Sequence, residues 1–260
     1  ELIRLGHFTL EKLQKDTSYL QDFQAFNPAP IGLIGLKHTN LKEESLKLKQ
    51  QVVDEQVPVN SVASTFSGEL ADIPFAHLHN HTQFSILQST IDVKSLVNKA
   101  AELNMPAVAL TDTGNMMAAF HFEKAVSTYN KALKGEREAA LEKGEIFTKQ
   151  ELLPIIGCEF NVCKDLEDKK QKDNGYQVVF LAKNKKGYHN LIKLASIAYT
   201  KGMYYVPRID KKVIEQYKED LIVLSGNLYG EVPSLILNVG EAQAEEALIW
   251  WKTQFGEDFY

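Results

Sequence analysis

The sequence predicts an α/β fold with parallel strands whose ends gather polar side chains. Short apolar runs alternate with helical faces along residues 75–260, the pattern of strand–helix–strand units. The polar candidates sit on or just past those runs: a histidine cluster, Asp112, Glu159 and Asn227. The stretch Phe75–Ser85, FAHLHNHTQFS, places His77, His79 and His81 at alternate positions, so in an extended chain the three rings share one face. In a (β/α) barrel the carboxyl ends of parallel strands converge on one face, where active sites lie. Residues far apart in sequence can then meet because each ends a neighbouring strand.

Residues 1–56 read as an adaptor. Leu10, Leu13 and Leu20 hint at short helices, interrupted by Asn27-Pro28-Ala29-Pro30, and Ile31–Leu36 suits a short strand weakened by two glycines. Asn40 followed by Glu43 resembles a capping box that opens a helix over 41–55. That helix is rich in Lys, Glu and Gln, the composition of a solvated face. Residues 57–74 carry Pro, Ser, Val and Gly without a period and read as a linker.

From Phe75 the texture changes, and 75–260 read as the main domain. Asp92 can cap a helix whose Val93, Leu96, Val97, Ala100 and Ala101 line one face. Ala107–Leu110 is a short apolar strand, followed by a helix over Asn115–Asn130 and a charged helical excursion over Lys131–Gln150. Leu153–Gly157 reads as a buried strand ending at Glu159, and Lys164–Asp173 as a solvated loop. Gln177–Ala182 is a strand; Tyr188, Leu191, Ile192, Ala195 and Ala198 mark a helix. Leu221–Leu224 is a strand, Ala244, Ala247, Leu248 and Trp251 mark a last helix, and Asp258–Tyr260 begin a further strand.

Bulk properties narrow the function classes. Apolar residues make up 44% of the 260, which suits a packed core and argues against wholesale disorder. The net charge of −5 opposes a bulk electrostatic grip on nucleic acid while leaving room for a local patch. The two cysteines, Cys158 and Cys163, do not suggest a disulfide scaffold and fit a reducing compartment. No apolar run reaches the about 18 residues of a membrane span. The chain opens on Glu1 with no signal pattern, and is expected to be a piece of a longer protein.

Chemistry centres on the histidines. His79 and His81 with Asp112 and Glu159 offer two imidazoles and two carboxylates, a set suited to hard or borderline divalent ions. Two such ions about 3.5–4 Å apart can activate water for phosphoester hydrolysis. The same groups can instead hydrogen-bond one another in a polar strand-end site without metal. His121 lies between Phe120 and Phe122 on a helix and reads as a surface residue; His189 beside Tyr188 reads as a capping or packing residue, and Cys158 as a small buried one. Lys183–Lys186 with Arg208, Lys211 and Lys212 could form a phosphate-binding patch, but interleaved acids favour solvated charge. No GxxxxGK[ST] or GxSxG occurs, so nucleotide-loop and serine-hydrolase chemistry lack their residues.

Those residues carry a resemblance. FAHLHNHTQFSILQST, MPAVALTDTGNMMAAFHFEKA, PIIGCEFNV, FLAKNKKGYHNLIKLAS, GMYYVPRID and LSGNLYGEVP are similar, in order, to the PHP (polymerase and histidinol phosphatase) domain of bacterial DNA polymerase III alpha subunits. The resemblance covers about residues 74–260. It implies a distorted seven-stranded (β/α) barrel, incomplete at its C-terminus here, with a helical N-terminal extension. It also implies a cytoplasmic replicative polymerase, a DNA-directed nucleotidyltransferase, as the parent protein. The rest of that polymerase chain, a fused or separate proofreading exonuclease, and DNA are the implied partners, with no membrane. In active members the barrel carries a metal cluster with 3′–5′ exonuclease activity.

Carried over by motif, the metal positions fall on His79, His81, Asp112 and Glu159. Three further positions are altered: Thr113 replaces a histidine, Gln177 a histidine and Asn227 a cysteine. Neutral hydroxyl and amide groups are poor substitutes for imidazole or thiolate at a transition metal. The resemblance therefore implies a degenerate cluster with at most one divalent ion (zinc, manganese or magnesium) or none, no catalytic residues in this fragment, and a mainly structural role. The alternative is a metal-dependent phosphoesterase or 3′–5′ exonuclease acting at His79 and His81. A third reading is a nucleic-acid-binding module using the lysine-rich loops. Glu1–Phe8 and GLIGLKHTNLK resemble, over a short length, the region joining a fused proofreading exonuclease to the alpha subunit.

Overall fold

The computed structural model describes residues 74–260. The expected adaptor over 1–56 and the linker over 57–74, Pro74 apart, lie outside the described residues. Pro74–Tyr260 forms one compact unit.

Its elements are α1 (Val93–Glu102), β1 (Ala107–Leu110), α2 (Ala119–Lys143), β2 (Leu153–Cys163), β3 (Tyr176–Ala182), α3 (Lys185–Thr200), β4 (Arg208–Asp210), α4 (Lys211–Tyr217), β5 (Leu221–Leu224), α5 (Glu231–Asn238) and α6 (Glu241–Phe255). Several starts have a local cause. Asp92 caps α1 by accepting from the Ser95 N–H at 2.9 Å. Asn184 caps α3 through Lys186 and Gly187, and Asp210 caps α4 through Val213. The α2 helix ends at Gly144, whose φ of +68° supplies the left-handed terminating residue.

The strands form a sheet in the order β1-β2-β3-β5, with β4 also paired to β2. The pairings of β2 with β1 and with β4 are parallel. The expectation of parallel strands throughout is corrected at β3, which runs antiparallel to both β2 and β5. The reason is the connection. No helix lies between Cys163 and Tyr176, so the chain turns straight back, whereas a parallel neighbour needs a crossover. Isolated parallel bridges extend both edges, His77 to Val108 and Phe259 to Val223.

Alternation along the strands divides the core. Val178 and Phe180 of β3 pack with Phe160, Leu191, Trp251 and Phe255 under α3 and α6. Their neighbours Val179 and Leu181 meet Ala109 of β1 in a smaller group on the opposite face. A second large cluster joins Val97 of α1, Val108 and Leu110 of β1, and Phe122 and Val126 of α2. Both faces of the sheet are therefore covered, which explains the unbroken burial of Ala107–Leu110.

Several boundaries differ from expectation. The β2 strand runs six residues beyond Gly157, because Cys158, Phe160 and Val162 alternate into the α3–α6 cluster. The two segments expected over 115–150 are one 25-residue helix ending at Lys143. The short β4, α4 and α5 were too brief to show a period. The candidate basic patch is dispersed: Lys183 pairs with Asp258, Lys186 with Glu219, and Lys211 with Glu231. Arg208 is fully buried, donating to the carbonyls of Gly202 and Asp173.

Candidate functional site

The site forms where the chain before β1 crosses the end of β1 and the middle of β2. Asn80 fixes the crossing. Its side-chain amide donates to the Ala109 carbonyl at 3.0 Å, and its backbone N–H donates to Thr111 Oγ1 at 2.8 Å. That leaves His79 and His81, on either side of Asn80, directed at Glu159 of β2.

Three ligand atoms converge there. His79 Nε2 lies 2.9 Å from Glu159 Oε2, His81 Nε2 lies 3.0 Å from His79 Nε2, and His81 Nε2 lies 3.5 Å from Glu159 Oε2. Tetrahedral zinc with bonds of about 2.0–2.1 Å sets its ligands about 3.3 Å apart, so the triangle already has the dimensions of one face of such a site. The two imidazoles and one carboxylate are all common ligands of divalent ions.

The surrounding hydroxyls determine which ring nitrogen is free. Ser85 Oγ donates to Asp112 Oδ1 at 2.7 Å, spending its only proton. It can therefore only accept from His81 Nδ1, 3.2 Å away. His81 then carries its proton on Nδ1 and turns an Nε2 lone pair toward His79 and Glu159. Thr113 Oγ1 supports the same assignment, lying 3.1 Å from His81 Nδ1 while facing Glu159 Oε1 at 3.0 Å. His79 Nε2 lies within hydrogen-bond distance of both Glu159 Oε2 and His81 Nε2, so a proton on it can be donated to either.

Glu159 is only 1% exposed. Burial works to raise its carboxyl pKa, but the hydrogen bond from His79 and the adjacent His81 ring outweigh it and hold the group down at about 2. An ionised carboxylate is thus ready in the site. Cys158, next in the strand, is fully buried, and burial together with the nearby Asp112 and Glu159 charges pushes its thiol well up. It is an inert packing residue.

The other expected site residues fall elsewhere. Among the described residues the converging group holds His79, His81 and Glu159 and not Asp112. The Asp112 carboxylate is buried behind His81, accepting from the Thr82 N–H at 2.6 Å, Thr82 Oγ1 at 2.7 Å and Ser85 Oγ. It anchors the loop that aims His81. The shared face for all three histidines is corrected at His77, which is exposed and set edge-on to Phe75; its pairing with Val108 holds it at the sheet edge instead. Thr113 adjoins the group. Gln177 pairs with Asn161 across β2 and β3 and lines a neighbouring cavity. Asn227 is exposed and closes a turn by accepting from the Tyr229 N–H at 2.8 Å.

Thr82 and Ser85 were missed by sequence reasoning. Their signal was present in the HTQFS run, but a hydroxyl's role depends on which carboxylate it meets, and Asp112 is 27 positions from Ser85.

A model of the PHP domain matches residues 77–260. The DNA polymerase III subunit alpha of Borreliella burgdorferi is 38% identical over 190 residues, 72% of this chain and 15% of that protein. That of Chlamydia muridarum is 38% identical over 187 residues, covering 70% of this chain and 13% of that protein. That of Treponema pallidum is 36% identical over 195 residues, covering 74% and 15% respectively. The chain thus spans about 13–15% of the length of these relatives.

Proposed function

The chain belongs to the PHP domain family, and from that membership we propose that it is the N-terminal PHP domain of a bacterial DNA polymerase III alpha subunit, with a degenerate metal site and a mainly structural role. The parent activity on this reading is DNA-directed DNA synthesis in the cytoplasm. The partners are the rest of the polymerase chain, DNA and a proofreading exonuclease. Residues 1–56 serve as the adaptor, 57–74 as the linker and 75–260 as the PHP domain, a distorted seven-stranded barrel. The covered faces of the sheet and the paired segments beyond both its edges support that architecture.

One observation carries the degenerate reading. Beside the His79–His81–Glu159 triangle stands a threonine hydroxyl, within hydrogen-bond distance of Glu159 and His81. Asp112 is saturated by Thr82 and Ser85, Gln177 lines the adjoining cavity, and Asn227 is committed to its turn. His79, His81 and Glu159 would hold one divalent ion, which when bound would polarise a phosphoryl oxygen or acidify a water. The second ion of a two-metal nuclease has no comparable ligand set among the described residues. Asp112 and Ser85 keep His81 in the ligating tautomer, and Thr113 orients Glu159.

Metal analysis of protein purified without chelator, paired with a primer-degradation assay, tests this reading. The expected result is at most one ion per chain, lost in a His79→Ala, His81→Ala double variant, and no 3′–5′ cleavage. Two or three tightly held ions with cleavage would establish the phosphoesterase or exonuclease alternative instead.

A further inference from the structure

Beside the triangle lies a cavity of about 440 Å³, within the range of small-molecule sites. Among the described residues its walls carry no lysine, arginine, histidine or carboxylate, although the chain is 24% charged. Amides take their place: Gln88, Asn161, Asn174, Gln177 and Asn115, the last committed to the Phe84 and Thr113 carbonyls and the Met117 N–H. Phe84, Tyr199 and Tyr229 add ring surface to the same lining.

Several of these amide groups face solvent rather than protein; Gln88 and Asn174 are exposed, and no buried side-chain nitrogen or oxygen among the described residues lacks a partner. Asn161 donates from Nδ2 to the Pro207 carbonyl at 3.2 Å, and its Oδ1, with no protein partner among the described residues, is open to solvent on the cavity side. The Gln88 amide meets Thr113 Oγ1 at 2.7 Å, a hydroxyl whose single proton also faces Glu159 Oε1 at 3.0 Å. The side-chain amides of Gln177 and Asn174 line the cavity with no hydrogen bond to another described residue. Gln177 is held by its backbone, its N–H donating to the Tyr229 carbonyl at 2.9 Å. Asn161 and Gln177 face each other across paired strands, so an acceptor and an adjacent donor–acceptor pair stand on rigid backbone.

We infer that this cavity is a binding site for an uncharged nucleobase. A carboxamide presents a donor beside an acceptor, which matches the edge of a base in two simultaneous hydrogen bonds. Aromatic side chains supply faces on which a base stacks irrespective of sequence. With no cationic side chain in its lining, the cavity offers the base edge and ring faces more than it offers a phosphate. The base can come from a free nucleoside or from an unpaired nucleotide of a strand. The site does not depend on an ion at His79 and His81, because neither lines the cavity.

Adenosine, guanosine, cytidine and thymidine, with ribose as the control, would be titrated into the 260-residue chain by chemical-shift NMR in EDTA. A short single-stranded oligonucleotide and adenosine monophosphate form a second arm. At least one nucleoside is expected to bind and ribose not to bind. Adenosine monophosphate should gain nothing from its phosphate. Gln177→Leu, and independently Asn174→Ala, should weaken binding, the first by about tenfold, with circular dichroism unchanged. Tighter binding of the oligonucleotide that is insensitive to salt identifies the strand as the source; equal binding identifies the nucleoside. Absence of nucleoside binding, binding of ribose alone, an EDTA-abolished signal, or unchanged affinity in both variants would each overturn the site. None of these outcomes bears on whether the triangle holds an ion.

Discussion

Glu159 shows how a single residue couples stability to the site. Its ordinary pKa of 4.5 falls to about 2, against its burial, through the hydrogen bond from His79 and the adjacent His81 ring. A group depressed in the folded state contributes stability above its unfolded pKa and loses it as pH falls through the folded one. The contribution is therefore complete above about pH 4.5 and disappears toward pH 2. Glu159→Gln removes this titration. Urea unfolding in EDTA should show a flatter loss of stability for the variant between those values than for the parent chain. Equal slopes would mean that the carboxylate is not held by the two rings.

At the scale of elements, close approach sets the rules. The β2 and β3 strands carry polar residues at one end of a common face, Glu159 and Asn161 on β2 and Gln177 on β3. The apolar end of that face begins at Gly157, where an added Cβ would lie 2.5 Å from the Phe180 carbonyl oxygen and 2.9 Å from Thr111 Cγ2. The obstruction is partly backbone and cannot swing aside. Gly157→Ala should cost about 1–3 kcal/mol, read as a lower midpoint in chemical denaturation. A neutral result would show that β2 can shift relative to β3, which would also blur the register that brings Glu159 to the histidines.

At the scale of the molecule, β2 joins two cores. It pairs with β1, β3 and β4, and its alternate residues enter the cluster around Phe180 and Trp251. The cluster around Val108 and Phe122 lies against β1, its other partner. Neither large cluster can lose its order without unpairing this strand, so residues 74–260 should unfold in one transition. Tryptophan fluorescence reports on Trp250 and Trp251; a Phe122→Trp variant lacking both native tryptophans reports on the other cluster. In each protein the fluorescence midpoint should coincide with that of the far-ultraviolet signal. Separated transitions would divide the fold at the β1–β2 boundary.

Much of this was legible in the chain itself. Ala107–Leu110 and Leu221–Leu224 read correctly to the residue because each is a short apolar run bounded by polar or turn residues. The cap at Asp92 read correctly because its partner is three residues away. His79, His81 and Glu159 were identifiable as chemistry-bearing types at motif positions, but Glu159, expected at the end of a strand, lies in the middle of β2. The tertiary structure decided what local spacing cannot express. It set His77 apart from the converging group, placed the Asp112 carboxylate against Thr82 and Ser85 rather than beside Glu159, and reversed β3. Each depends on contacts between residues brought together by pairing rather than by sequence distance. A carboxylate's role follows from the donors that reach it, and those donors are chosen by the fold.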